Sequence, residues 1–159
     1  KFEFYLPRSA DYRSEIEQRV SDRFDDWEGA LEEGAAGVRE VFNKMRLLVG
    51  HGVLRSFADA YRVAAGVLAA SDAEAVDNKS AFLSQCLKTG KQELLQGRVF
   101  SAESISKSLY ETAWKLADYR GLLGPGKAEA RRALHQDFRS IKRQLDEILA
   151  ITTAQADNL

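Results

Sequence analysis

Apolar positions recur at intervals of three and four over most of this chain. Tyr12, Ile16, Val20, Phe24, Trp27 and Leu31 form one series, with Glu15, Glu17, Arg19 and Arg23 on the wet side and Ser9 or Asp11 placed to cap it. Val38, Val41, Phe42, Met45, Leu48 and Val49 form a second, which Gly50-His51-Gly52 is expected to end because glycine accepts left-handed backbone. A third stripe runs from Val53 to Ala70 through Leu54, Phe57, Tyr61, Ala65 and Leu68. Arg55, Asp59 and Arg62 lie opposite it and read as a surface ladder. Such pairs contribute only about 0.3–0.5 kcal/mol each, so packing must hold that helix. Ser71 to Asn78 is a connection, and Phe82, Leu83, Cys86, Leu87 and Leu94 mark a fourth helix that Gly90 weakens by about 1 kcal/mol relative to alanine.

Gln96-Gly97-Arg98 separates that helix from the next, for which Ser101 is the expected cap. There Ile105, Leu109, Thr112 and Leu116 make the ordinary core stripe, while Tyr110 and Trp114 fall at i and i+4 on nearly the opposite face. The last helix follows a 4-3-4-3 series, Leu134, Phe138, Ile141, Leu145 and Ile148. Lys1 to Leu6 alternates instead, with Phe2, Phe4 and Leu6 on one side, and predicts a strand ended by Pro7. A lone strand must pair within a sheet supplied by preceding sequence or pack as an extended tail on the helices. The pattern therefore predicts a mainly α chain: a single helical domain of about six helices over residues 9–151, one N-terminal orphan strand within residues 1–8, and a frayed tail over 152–159.

Length and composition change this picture little. The chain has 159 residues, 45% of them hydrophobic and 30% charged, which suits one ordinary core. A formal net charge of -1 carries no basic footprint of a nucleic-acid partner. No apolar run approaches the roughly 20 residues that span a bilayer, and no signal peptide opens the sequence. The single cysteine, Cys86, cannot pair within the chain and reads as a buried structural thiol. Two separated histidines and one cysteine make no recognisable metal site, and no cofactor is expected. Gly121-Leu-Leu-Gly124-Pro-Gly126 resembles a phosphate cradle only superficially, lacking an upstream strand and a Lys-Ser/Thr ending, and reads as a turn.

Two surfaces carry candidate chemistry. On the last helix Arg131, Arg132, His135, Arg139, Lys142 and Arg143 project across one arc, with Glu129, Asp137 and Glu147 on the other flank. This arc either meets anionic lipid headgroups, at about 1 kcal/mol per cation, or is a solvated flank paired with acidic helices elsewhere. Tyr110 and Trp114 either face a domain interface or membrane headgroups, or are buried between two neighbouring helices. With the strand phenylalanines, the candidate membrane or domain contacts are thus Phe2, Phe4, Tyr110, Trp114, Arg131, Arg132, Arg139, Lys142 and Arg143. No catalytic residue is among them.

Three segments carry a family resemblance: KFEFYLP at the start, VLRSFADAYRVAAGVLAA from Val53 to Ala70, and SAESISKSLYETAWKLADYRGLL from Ser101 to Leu123. Together they resemble the carboxy-terminal part of the membrane-bound, bacterial-type glycerol-3-phosphate 1-O-acyltransferases. That family uses a His-x4-Asp motif in which the carboxylate orients an imidazole general base. Here His51 is followed five residues later by Ser56 and His135 by Ser140, so neither fits. The resemblance implies an accessory domain of such an enzyme, not itself catalytic, with residues 1–8 continuing from an αβ acyltransferase core that precedes Lys1. A start at lysine rather than methionine suits an excised segment. The implied partners are that upstream catalytic domain, an anionic membrane surface, and the acyl thioester and glycerol 3-phosphate held by the parent. The implied location is the cytoplasmic face of the plasma membrane. The alternative is a freestanding helical module that binds another protein.

Overall fold

The structure, a computed structural model, describes residues 12–45, 50–72 and 74–156. Among these residues it contains seven α-helices: α1 (Tyr12–Ser21), α2 (Trp27–Glu32), α3 (Ala35–Met45), α4 (Gly50–Ala70), α5 (Lys79–Leu95), α6 (Lys107–Tyr119) and α7 (Ala128–Ala156), with a short 3-10 turn at Ala102–Ser104. The chain divides into two compact units, residues 1–51 with 147–159, and residues 52–146.

The expected architecture of a mainly α chain with an orphan strand is corrected to an all-helical one. No strand occurs among the described residues, and there are seven helices where about six were expected. A strand needs a second strand to satisfy its backbone, and helices that bond internally offer none. Lys1 to Leu6, with Phe2 and Phe4, lies outside the described residues, as do Ser9 and Asp11. The additional helix arises because the first apolar series is interrupted. The backbone N–H groups of Arg23 and Phe24 both donate to the Val20 carbonyl, at 3.0 and 2.9 Å, and close α1. The chain restarts at Trp27, whose indole Nε1 donates to Ser21 Oγ across the break at 3.0 Å. α2 and α3 then pack backbone to backbone, since a Cβ on Gly37 would fall on the Ala30 carbonyl.

Gly50-His51-Gly52 forms the first turn of α4 instead of ending the preceding helix. Glycine permits a stop without imposing one. At the other end, α7 runs on to Ala156, so residues 152–156 continue the helix expected to fray there.

The second unit holds the principal core. Val63, Ala64, Val67 and Leu68 of α4 meet Phe82, Leu83 and Cys86 of α5, Tyr110, Ala113 and Ala117 of α6, and Leu134 of α7. Asn78 caps α5 by accepting the Ala81 N–H at 2.9 Å. Cys86 is fully buried, as expected, and burial pushes its thiol pKa up to about 12, leaving an unreactive thiol.

The charged face of α4 is where the pattern misled most. Asp59 is 0% and Arg62 only 8% exposed, whereas Leu54 and Phe57 on the supposed core face are 57% and 42% exposed. The surface-ladder reading is therefore corrected. Asp59 Oδ2 accepts the Phe100 N–H at 2.9 Å, which fixes the loop after α5, and Arg62 pairs with Glu93 of α5. Each charge is directed to a specific partner distant in sequence, which local periodicity does not encode.

Candidate functional site: a basic pocket on the second unit

The basic arc expected on α7 separates into three environments. Arg131 is fully buried. Its Nε donates to the Leu122 carbonyl at 2.8 Å, Nη1 to those of Asp72 and Glu74 at 2.9 and 2.8 Å, and Nη2 to those of Leu123 and Gly124 at 3.3 and 2.9 Å. All five guanidinium donors are thus satisfied by backbone oxygens from the loops after α4 and α6. The Gly121-Gly126 turn presents carbonyls to a cation, the opposite of a phosphate cradle. Arg132 points elsewhere and pairs with Asp72 at 3.3 Å in an exposed bridge.

Arg139, Lys142 and Arg143 form the third environment. They line a pocket of about 390 Å³ with Arg62 of α4, Gly97 and Arg98 of the turn after α5, and Asp146. The turn is held where the backbone N–H of Arg98 donates to the Glu93 carbonyl at 2.8 Å, and the Arg98 carbonyl accepts from Arg62 Nη2 at 3.3 Å. Asp146 is shared by Lys142 and by Arg55, whose Nη2 lies 2.9 Å away and whose guanidinium also stacks 3.8 Å over the Phe100 ring. Glu93 is occupied by Arg62. Arg98 side-chain Nη2 reaches only the neutral Gln96 Oε1. Arg139 and Arg143 are exposed and meet no carboxylate among the described residues. Three guanidiniums therefore carry uncompensated charge around one concavity. Arg62 adds a buried Nε with no hydrogen-bond partner.

Arg62 and Arg98 were missed by sequence reasoning. Arg62 looked like a surface residue, and Arg98 gave no signal beyond belonging to a turn. Tyr110 and Trp114 do not form an outward surface. Tyr110 is 0% exposed, and Trp114 is half-buried against Phe82, with ring centroids 5.1 Å apart. α5 covers that face of α6 through Phe82 and Gly90, and burial raises the Tyr110 pKa well above its ordinary value.

A second cavity, of about 720 Å³, is lined by α4, α5 and the segment between them, with His135 of α7 at its edge. Burial, then the positive charges of Arg139 and Arg62, lower the His135 pKa, against an opposing contribution from Glu93. Among the described residues no group of three potential metal ligands comes together, and no helix is long and apolar enough to cross a membrane.

The second unit is thus helical and carries a basic pocket lined by α4, the turn after α5 and α7. Comparison with known proteins supplies the family. Residues 1–126 match the family described as glycerol-3-phosphate acyltransferase C-terminal region, and the chain belongs to it. It is also similar to proteins named "Putative acyltransferase plsB1" in Mycobacterium bovis and Mycobacterium tuberculosis, with 34% identity over 138 residues. That match covers 87% of this chain and 22% of each relative, so the chain spans about a fifth of their length. No solved structure matches significantly. The freestanding interaction module is not favoured beside this family membership.

Proposed function

We propose that this chain is the accessory carboxy-terminal part of an enzyme that transfers a fatty acyl group from an acyl thioester to the sn-1 hydroxyl of glycerol 3-phosphate, at the start of phospholipid synthesis. The observation that carries the proposal is the family match across residues 1–126. The chemistry belongs to an upstream catalytic domain of the same parent, which binds both substrates. Attack by the glycerol hydroxyl needs a general base within hydrogen-bond reach and held by a third group. His135 lacks such a holder: position 140 is serine, and no carboxylate bonds its ring among the described residues. The segment serves the catalytic domain by bracing it, on the cytoplasmic face of the plasma membrane.

Acyl transfer to glycerol 3-phosphate by the parent in membranes tests this reading, compared with the parent lacking residues 1–159 and with the segment alone. Activity that requires the segment, with none from the segment by itself, is expected. An inactive but well-folded parent, or turnover by the segment alone, overturns it.

A further inference from the structure

We infer that the pocket between α4, the turn after α5 and α7 is a binding site for a phosphate group, with Arg98, Arg139 and Arg143 as its principal ligands and Arg62 at its floor. Four observations converge on it. First, the cations come from three separate segments of the chain, so no run of basic sequence explains their meeting. Second, the carboxylate that lines the pocket, Asp146, is already paired with Lys142 and Arg55, and Glu93, outside the lining, is paired with Arg62. Arg139 and Arg143 lie one turn apart on α7, both exposed and without a counter-ion among the described residues. Like charges so placed repel modestly in solvent, and an anion bound beside them would remove that repulsion.

Third, Arg62 lines the pocket and its Nη2 donates to the Arg98 carbonyl at 3.3 Å, which ties the turn that carries Arg98 to α4 beside the pocket. Fourth, the same field is felt outside the pocket, because, after burial, Arg139 and then Arg62 lower the His135 pKa, against an opposing contribution from Glu93. Guanidiniums fork onto phosphate oxygens through paired N–H donors, which makes a tetrahedral oxyanion the best-fitting ligand for several arginines. Only guanidiniums that keep free donors can do this. The contrast with Arg131, whose donors are all spent on carbonyls, is internal to the same helix.

A phosphate group could arrive on a lipid headgroup or on a small soluble phosphomonoester. The site does not depend on whether the parent transfers acyl groups. The test uses the 159-residue chain and two sets of probes: inorganic phosphate and glycerol 3-phosphate followed by calorimetric titration, and phosphatidylcholine vesicles with or without phosphatidic acid followed by co-sedimentation. The expected result is saturable binding in at least one arm that falls roughly tenfold or more in the double variant Arg139→Glu/Arg143→Glu, and that weakens with added salt. Both residues are exposed, so this variant should keep the wild-type thermal midpoint. The matched double variant Arg132→Glu/Lys88→Glu, in which Lys88 is an exposed residue of α5 and neither residue lines the pocket, makes the same change in net charge and should bind as wild type. Binding in the soluble arm identifies a free phosphomonoester, and binding restricted to phosphatidic acid vesicles identifies a headgroup. Absence of saturable binding in both arms, or equal losses in the two double variants, overturns the proposal.

Discussion

Arg131 and Arg139 lie two turns apart on one face of α7, and the chain treats them in opposite ways. At position 131 the guanidinium is wholly enclosed and all five of its donors end on backbone carbonyls. At 139 it stands exposed at the rim of a pocket with no carboxylate beside it among the described residues. His135 falls midway, half-buried. Along one i, i+4 ladder the helix passes from structural to ligand-ready side chains, and residue type does not distinguish them. What distinguishes them is whether two loops close over the side chain. The loops after α4 and α6 bring carbonyl oxygens to Arg131, whereas the turn after α5 brings another cation to Arg139.

The largest expected effect follows from removing the enclosed member. Arg131→Ala leaves five carbonyls from two loops without their common donor. It should destabilise the second unit by about 3–5 kcal/mol, read as a drop in denaturation midpoint. Arg131→Lys keeps the charge but has one nitrogen for carbonyls that now surround three, so it should recover only part of the loss. Arg139→Ala, by contrast, should change stability by no more than about 0.5 kcal/mol. Equal costs at the two positions would break the comparison.

A smaller effect sharpens the same rule from a buried group whose donor is unmet. The Tyr110 hydroxyl is enclosed without a hydrogen-bond partner among the described residues, against Gly90 of α5. A Cβ at position 90 would land on that hydroxyl. Gly90→Ala should therefore cost about 1–3 kcal/mol by overpacking, despite alanine's better helix propensity. Tyr110→Phe alone should be neutral or mildly stabilising, because it removes an unsatisfied group without opening a cavity. Combined, the two substitutions should recover most of the loss in thermal denaturation, and strict additivity would show that the hydroxyl is not what Gly90 accommodates.

These cases also mark how far the sequence could be read. The existence of α5, α6 and α7 was legible from apolar spacing. However, α6 starts at Lys107 behind Ser106 and not at the expected Ser101 cap, its buried residues include Tyr110 from the supposed outer face, and Ile141 of the α7 series is exposed. Cys86 and the Gly121-Gly126 turn follow from local chemistry as well. Position 90 read only as a weak point in a helix, since a close approach by α6 is a tertiary fact. The α4 charges read as a surface ladder because Asp59, Arg62 and Arg55 find partners 41, 31 and 91 residues away in sequence, at Phe100, Glu93 and Asp146. The arc on α7 was legible as a basic face, but its division into an enclosed arginine, a surface bridge and a pocket was not. That division depends on which loops fold over it.

His135 offers the finest test of the gradient along α7, because its charge reports both burial and the open cations beyond it. Burial and the neighbouring Arg139 and Arg62 hold its pKa below the ordinary histidine value, so the folded protein binds this proton less readily than the unfolded chain. The sign follows from linkage: above about pH 6.5 both states are neutral and the site contributes no pH dependence. As pH falls below that point the unfolded chain takes the proton first, and stability declines until pH passes the folded pKa. Replacing Arg139 with glutamine removes one positive neighbour while leaving burial intact. The His135 pKa, followed by NMR titration of the ring protons, should rise part of the way back, and the acid-side loss of stability should shrink with it. A pKa that does not move in Arg139→Gln would mean that burial alone sets it, and that the pocket's field does not extend one helical turn toward the enclosed end.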